Sequence, residues 1–199
     1  MGQCRKTRFP IDKSGGSFRL NPKKAFSLYS RPLGKQALAQ SAYRFKEVRL
    51  KEKEQIERIL QDLFSYQKLA VLGTHQSGQP YGNLVAFAAT PDLRTIFFAT
   101  TRATRKFANL QADSRVSMVF DNRSNRVADF RKAVAATALG RAREIKGRDR
   151  IKFAKMYLTK HPHLEEFVSS PTCALVRIRV DVYIVVWRFQ NVFELRVKK

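Results

Sequence analysis

The apolar positions fall into a sustained helical rhythm only from about residue 49. Ile56, Ile59, Leu60, Leu63 and Phe64 stand at i, i+3, i+4, i+7 and i+8, with Lys and Glu opposite. This single stripe predicts an amphipathic helix over Arg49–Tyr66. Beyond it the period drops to two, or to short apolar runs. Strands are expected at Lys68–Thr74, Tyr81–Ala89, Thr95–Thr101, Arg115–Asp121, Ala133–Glu144, Thr172–Val180 and Val182–Phe189, with a closing segment at Val192–Val197. Gln76-Ser77-Gly78-Gln79 has the composition of a hairpin loop, which His75 enters, and Thr90-Pro91-Asp92 that of a turn. Two short helices fit between the strands, Thr104–Gln111 and Arg148–Leu158, the second broken by His161-Pro162-His163. The loop Asn122–Arg131 is polar. Close-spaced strands joined by turns, without a βαβ rhythm, predict a mainly β (α+β) fold, a six- to seven-stranded antiparallel barrel with peripheral helices.

The first 48 residues differ in kind. Pro10, Gly15, Gly16, Pro22, Pro32 and Gly34 interrupt them, and they show no sustained period. Residues 1–50 hold twelve basic side chains against Asp12 and Glu47. Residues 1–48 are therefore expected to form a flexible basic arm, and 49–199 the folded domain. A solvated tail, a nucleic-acid-contacting arm and an organelle transit peptide all fit that composition. The whole chain carries +23, a field that attracts nucleic acid, anionic surfaces or a phosphorylated cofactor. Two cysteines, Cys4 and Cys173, are too few for a disulfide scaffold. No apolar run is long enough for a transmembrane span, so the expected location is cytoplasmic.

The chemically informative stretch is Phe98-Ala99-Thr100-Thr101-Arg102-Ala103-Thr104-Arg105-Lys106. A strand ends in hydroxyl residues, and a helix starts at Thr104, a good N-cap. Two cations follow in its first turn, where the helix dipole disfavours them unless an anion is bound. Free N–H groups, hydroxyls and two cations converging on one point suit a phosphate. A solvated basic helix end is the competing account.

The order of segments adds to this. Gly78-Gln79-Pro80-Tyr81, the strand Asn83–Ala88, Phe98-Ala99-Thr100, Thr104-Arg105-Lys106 and Arg115–Phe120 together resemble the pyridoxamine 5′-phosphate oxidase family, the FMN-binding split barrels. Gly140–Ile145 is similar to that family's long strand running into a helix. The resemblance covers roughly residues 55–190 and excludes the arm. It implies a homodimer with FMN in the cleft between two barrels, and oxidoreductase chemistry on a small molecule. It implies cofactor contacts from Asn83, Leu84, Val85, Ala86, Phe87 and Ala88 along the ring, and from Ala99 and Thr100 near the ribityl chain. Thr104, Arg105 and Lys106 would hold the phosphate. Trp187 and Arg188 are candidates for the border of a substrate pocket. The chain also departs from the vitamin oxidases, with Asn83 and Ala88 where they carry Arg and Lys, and Ala135 where they carry Gln. Their C-terminal Trp-and-Arg motif is absent. A flavoprotein is expected, its substrate and electron donor left open, and pyridoxamine phosphate is not the expected substrate.

No metal site and no catalytic Ser/His/Asp or Cys/His set emerges. Two histidines at 161 and 163 lack a third ligand, though a haem-binding relative of this fold using one of them stands as an alternative. A nucleic-acid-associated basic protein without redox activity is the other. Arg141–Lys160, with eight basic and two acidic residues, is either a solvated face or an anion-binding surface. Phe153 and Tyr157, four apart, are expected to point inward.

Overall fold

The structure, a computed structural model, describes residues 35–187 and 191–197, with side-chain surroundings from residue 51 onward. Two units separate by their contacts, Met1–Arg44 and Phe45–Lys199. Of the first unit only the helical stretch 35–44 is described, and residues 1–34 of the arm expected over 1–48 lie outside the described residues. Helix α1 runs Lys35–Tyr66, starting well before the expected Arg49. Past Gly34 the chain holds Ala, Gln, Lys, Arg and Glu without Gly or Pro, so propensity carries the helix where no apolar stripe announces it. Among the described residues no helix is long and apolar enough to cross a membrane.

Seven strands follow: β1 (Leu69–Gln76), β2 (Gln79–Ala89), β3 (Thr95–Thr101), β4 (Arg115–Asp121), β5 (Ala135–Glu144), β6 (Cys173–Trp187) and β7 (Asn191–Arg196). All pairings are antiparallel, in the order β3-β2-β1-β4-β5-β6-β7, and β3 also pairs with β6. Six strands thus close into a barrel, and β7 extends it beside the second half of β6. The β1–β2 hairpin turns through Ser77 and Gly78, both at positive φ, as a two-residue turn with left-handed central residues requires. His75 belongs to β1 and is paired opposite Pro80, inside the ladder and not in the loop.

Period two is borne out inside the barrel. Ala70, Leu72, Val85, Phe87, Val116, Met118, Phe120, Ala136 and Ala138 are all buried. Ile56, Leu60, Leu63 and Phe64 of α1 join the same core. Phe64 lies edge-on to Phe87 with ring centroids 5.6 Å apart, and 4.6 Å from Phe120. Ile96-Phe97-Phe98 is a continuous apolar run because β3 is covered on both faces. Phe98 turns into the barrel, and Phe97 turns out beneath α4 (Arg148–Lys160) and α5 (Glu165–Ser169), against Phe153 and Tyr157. Helix α2 (Arg105–Ala112) packs on β1, and α3 (Asp129–Lys132) is one turn within the expected polar loop.

The two strands expected at Thr172–Val180 and Val182–Phe189 are one. Asp181 is a bulge: Gly140 pairs with Val180 and Leu139 with Val182, leaving Asp181 the extra residue. Inward positions accordingly switch from Ala174, Val176, Ile178 and Val180 to Tyr183 and Val185. Gly140 is required there, because a Cβ would collide with the Arg179 carbonyl oxygen.

Lys160 ends α4 with its ammonium 3.9 Å from the Phe87 ring centroid, donating to the Phe64 carbonyl at 2.7 Å. Burial pulls its pKa down to about 8 from 10.5. The native lysine therefore releases its proton at a pH where the unfolded chain still holds it. Its contribution to stability rises with pH between those two values. The melting temperature of wild type relative to Lys160→Met should increase as pH is raised through that window. A difference independent of pH would show that the ammonium is not desolvated.

Candidate functional site

The β2–β3 ladder holds only Phe87–Ala89 against Ile96–Phe98. Before Phe87, β2 follows β1 back to Gln79, and β3 runs on beside β6 to Thr101. The two strands therefore part between Asn83–Ala86 and Ala99–Thr101, and buried Tyr157 of α4 fills the Ala86 end of the gap, donating to the Ala86 carbonyl at 3.2 Å. The turn after β3 delivers α2 to the mouth of that opening.

At the mouth Thr104 is the N-cap of α2, in extended conformation, yet its side chain caps nothing. Its hydroxyl donates to the Thr101 carbonyl at 2.9 Å and lies 3.0 Å from the buried Thr100 hydroxyl. The first-turn N–H groups are left without a side-chain acceptor, and that turn holds no acid. The Arg105 guanidinium sits over the Tyr81 ring of β2, 4.9 Å from its centroid. Half-buried Lys106 has its pKa drawn down by burial. Among the described residues neither cation is matched to a carboxylate. Arg102, by contrast, is committed to the scaffold through Glu144 at 2.6 Å and the Pro171 carbonyl at 2.7 Å.

Within the wall, the Asn83 side-chain amide has both polar atoms buried without a partner in the chain. Asn109 of α2 is fully buried; its Nδ2 donates to the Thr74 hydroxyl at 3.0 Å, and its Oδ1 is unpartnered. Buried polar atoms cost free energy when unsatisfied, so such a group calls for an explanation. Asn83 faces the core residue Leu72 across the β1–β2 pair, so its amide is shut off from the opening.

The other expected ring contacts divide. Leu84 is 65% exposed, whereas Val85 and Phe87 lie in the barrel core. Ala86 and Ala88 join the cluster beneath α4. The side chains of these four are thus turned away from a ligand in the opening, and the Ala86 and Phe87 carbonyls already accept from Tyr157 and His161. Outside the wall, Gly73, Tyr81, Gly82, Ser117 and Leu139 line an open hollow of about 520 Å³. A Cβ at Gly73 would strike the Ser117 hydroxyl. Trp187 stacks on Phe193 at 4.4 Å and packs against the main core; Arg188 lies outside the described residues.

His161 is buried, and its Nε2–H donates to the Phe87 carbonyl at 2.9 Å. Burial, ahead of all other influences, lowers its pKa and keeps it neutral. With Nε2 committed and the ring against Tyr157, this histidine is a structural tie and is not placed to ligate haem. His163 is exposed. Among the described residues no group of three or more His, Cys, Asp or Glu could hold a metal.

The family model for pyridoxamine 5′-phosphate oxidase matches residues 53–185, more than half of the chain. The chain belongs to this family. No protein of curated function matches it by sequence. Among solved structures it is similar to a haem-binding protein from Mycobacterium smegmatis (TM-score 0.60, 13% identity, 67% of this chain and 55% of that one). It is also similar to a protein of unknown function from Agrobacterium tumefaciens (0.58, 25%, 68% and 57%). A third is an FAD-binding protein from Mesorhizobium loti (0.52, 15%, 63% and 88%). The chain thus spans little more than half the length of the first two. The likenesses at 13% and 15% show the fold alone, the split barrel of the pyridoxamine 5′-phosphate oxidase family.

Two participants were not expected from sequence as site residues, Tyr81 and Asn109. Tyr81 stands in the quoted Gly78–Tyr81 segment, and an aromatic residue just after a hairpin was the available signal. Asn109, polar on the buried face of an eight-residue helix, was another.

Proposed function

We propose that the chain is an FMN-binding flavoprotein oxidoreductase acting on a small organic molecule. The observation that carries this reading is the uncapped, acid-free first turn of α2, with Arg105 and Lys106 unmatched at the mouth of the opened wall. An FMN phosphate would supply the anion that both cations and the free N–H groups lack. The bound flavin would supply hydride transfer; the protein binds it, orients it and keeps water from one face. The buried, committed His161 weighs against haem. The absent Arg and Lys at positions 83 and 88 leave pyridoxamine phosphate without those two cations.

The visible spectrum of freshly purified protein, with mass identification of the released chromophore, tests this. Oxidised flavin bands and released FMN are the expected result. A Soret band, or colourless protein that takes up no added FMN, would overturn it.

The site is also proposed to be completed by a second copy of the chain. Leu139 stands exposed in the lining of the open hollow, which one chain only half encloses, and Leu84 of β2 is exposed as well. Light scattering at micromolar concentration should give twice the chain mass. A monomer that still binds FMN would contradict the shared site.

A further inference from the structure

Away from that opening, the outer face of the barrel carries an arrangement that the flavin reading does not use. Arg141 and Arg143 of β5 pair directly with Arg179 and Arg177 of β6. The residues between them, Ala142 and Ile178, are buried in the core, so all four arginines project to the same outer face. Directly opposed side chains on neighbouring strands have Cβ atoms about 4.5–5.5 Å apart, and like charges so placed repel. Matching acids would relieve this, but among the described residues these four arginines have a single contact of that kind. Asp149 Oδ2 lies 3.9 Å from Arg177 Nη1, with both groups largely in solvent. Among the described residues Arg141, Arg143 and Arg179 have no carboxylate within ion-pair distance. The adjoining Arg115, paired with Arg141 across β4–β5, is already committed to Asp113.

The four arginines wall a concave cavity of about 320 Å³, to which Ser114 and Thr95 add hydroxyls. We propose that this cavity binds a compact oligophosphate, two or three linked phosphate groups, as carried by a nucleotide di- or triphosphate. Guanidinium groups present fixed forks of donors that match phosphate oxygens two at a time. Four of them in a square suit several adjacent anionic groups better than one. No aromatic residue lines the cavity, so it offers no surface for base stacking, as an extended nucleic-acid strand would need. Its confined volume favours a small polyanion for the same reason. This proposal does not rest on the flavin reading.

Calorimetric titration of the full-length protein with tripolyphosphate tests it, alongside Arg141→Gln/Arg179→Gln, Arg141→Lys/Arg179→Lys and Arg105→Ala/Lys106→Ala. Wild type should bind tripolyphosphate, and the Gln pair should weaken binding at least tenfold. The Lys pair, keeping charge but losing the forks, should fall between. Tripolyphosphate held at the first turn of α2 would be lost in the Arg105/Lys106 variant, whereas the binding that the Gln pair removes should persist in it, which separates this cavity from the phosphate end of the proposed flavin site. Removing like charges should leave the melting temperature of the Gln pair equal to or above that of wild type, so a loss of binding would not reflect unfolding. Equal binding by wild type and both Arg141/Arg179 variants would overturn the proposal. So would a short single-stranded oligonucleotide binding through these arginines while tripolyphosphate does not, which would assign the face to nucleic acid.

Discussion

Phe64→Ala should lower the stability of the folded domain by about 3–5 kcal/mol, the range for truncating a buried aromatic side chain. Phe64 is 6% exposed and carries the contact of α1 with the barrel interior. Its ring lies 5.6 Å from Phe87, 4.6 Å from Phe120 and 5.9 Å from Tyr183. Removing it leaves a cavity bordered by three rings held in separate strands, which cannot collapse onto one another without breaking ladder pairs. Its backbone carbonyl also accepts from Lys160, so any shift of the helix end disturbs the close of α4. A loss of this size is a large part of the roughly 5–15 kcal/mol that holds a typical domain folded. Chemical denaturation of wild type and variant measures it. A change below about 1 kcal/mol would mean that α1 is not part of the core, because surface substitutions remain within about half that value.

The second large effect is on binding. If Arg105 and Lys106 hold the FMN phosphate, each makes charge-assisted hydrogen bonds worth about 1.5–3 kcal/mol. Arg105→Ala or Lys106→Ala should then weaken FMN roughly ten- to a hundredfold, since about 1.4 kcal/mol is a factor of ten. Riboflavin, which lacks the phosphate, should be affected far less. Without ligand the same variants should be no less stable than wild type, because cations in a first turn oppose the helix dipole. Flavin fluorescence during titration of the apo proteins reports the first effect, and thermal unfolding the second. Unchanged FMN affinity in both variants would remove the phosphate role.

Much of the fold follows from local pattern. The α1 stripe and the alternation in β1 and β4 needed only near neighbours, and each packs as its period requires. Misreadings arose where the outcome depends on distant chain. Asp181 looks like the break between two strands, yet β5 runs past on the other side and turns it into a bulge. Glu165–Ser169 is too short to show a helical period, and forms its turn by packing Val168 against the outer cluster. The same distinction holds at the candidate site. Arg105 and Lys106 stand out because two cations in a first turn are locally unfavourable. Tyr81 joins them only because the β1–β2 hairpin and α2 meet in space, and the Asn109–Thr74 bond spans 35 residues. The square of arginines was half visible, as Arg141 and Arg143 within a basic run. Its other half needed the β5–β6 register.

The central claim is that the mouth of the opened wall is a phosphate site serving a flavin. Parallel titrations of FMN and riboflavin into apo wild-type protein test it most directly, since the two ligands share the ring and ribityl chain and differ only in the phosphate. FMN should bind at least about tenfold more tightly than riboflavin, the least that one charge-assisted contact contributes. Equal affinity for the two would contradict the account.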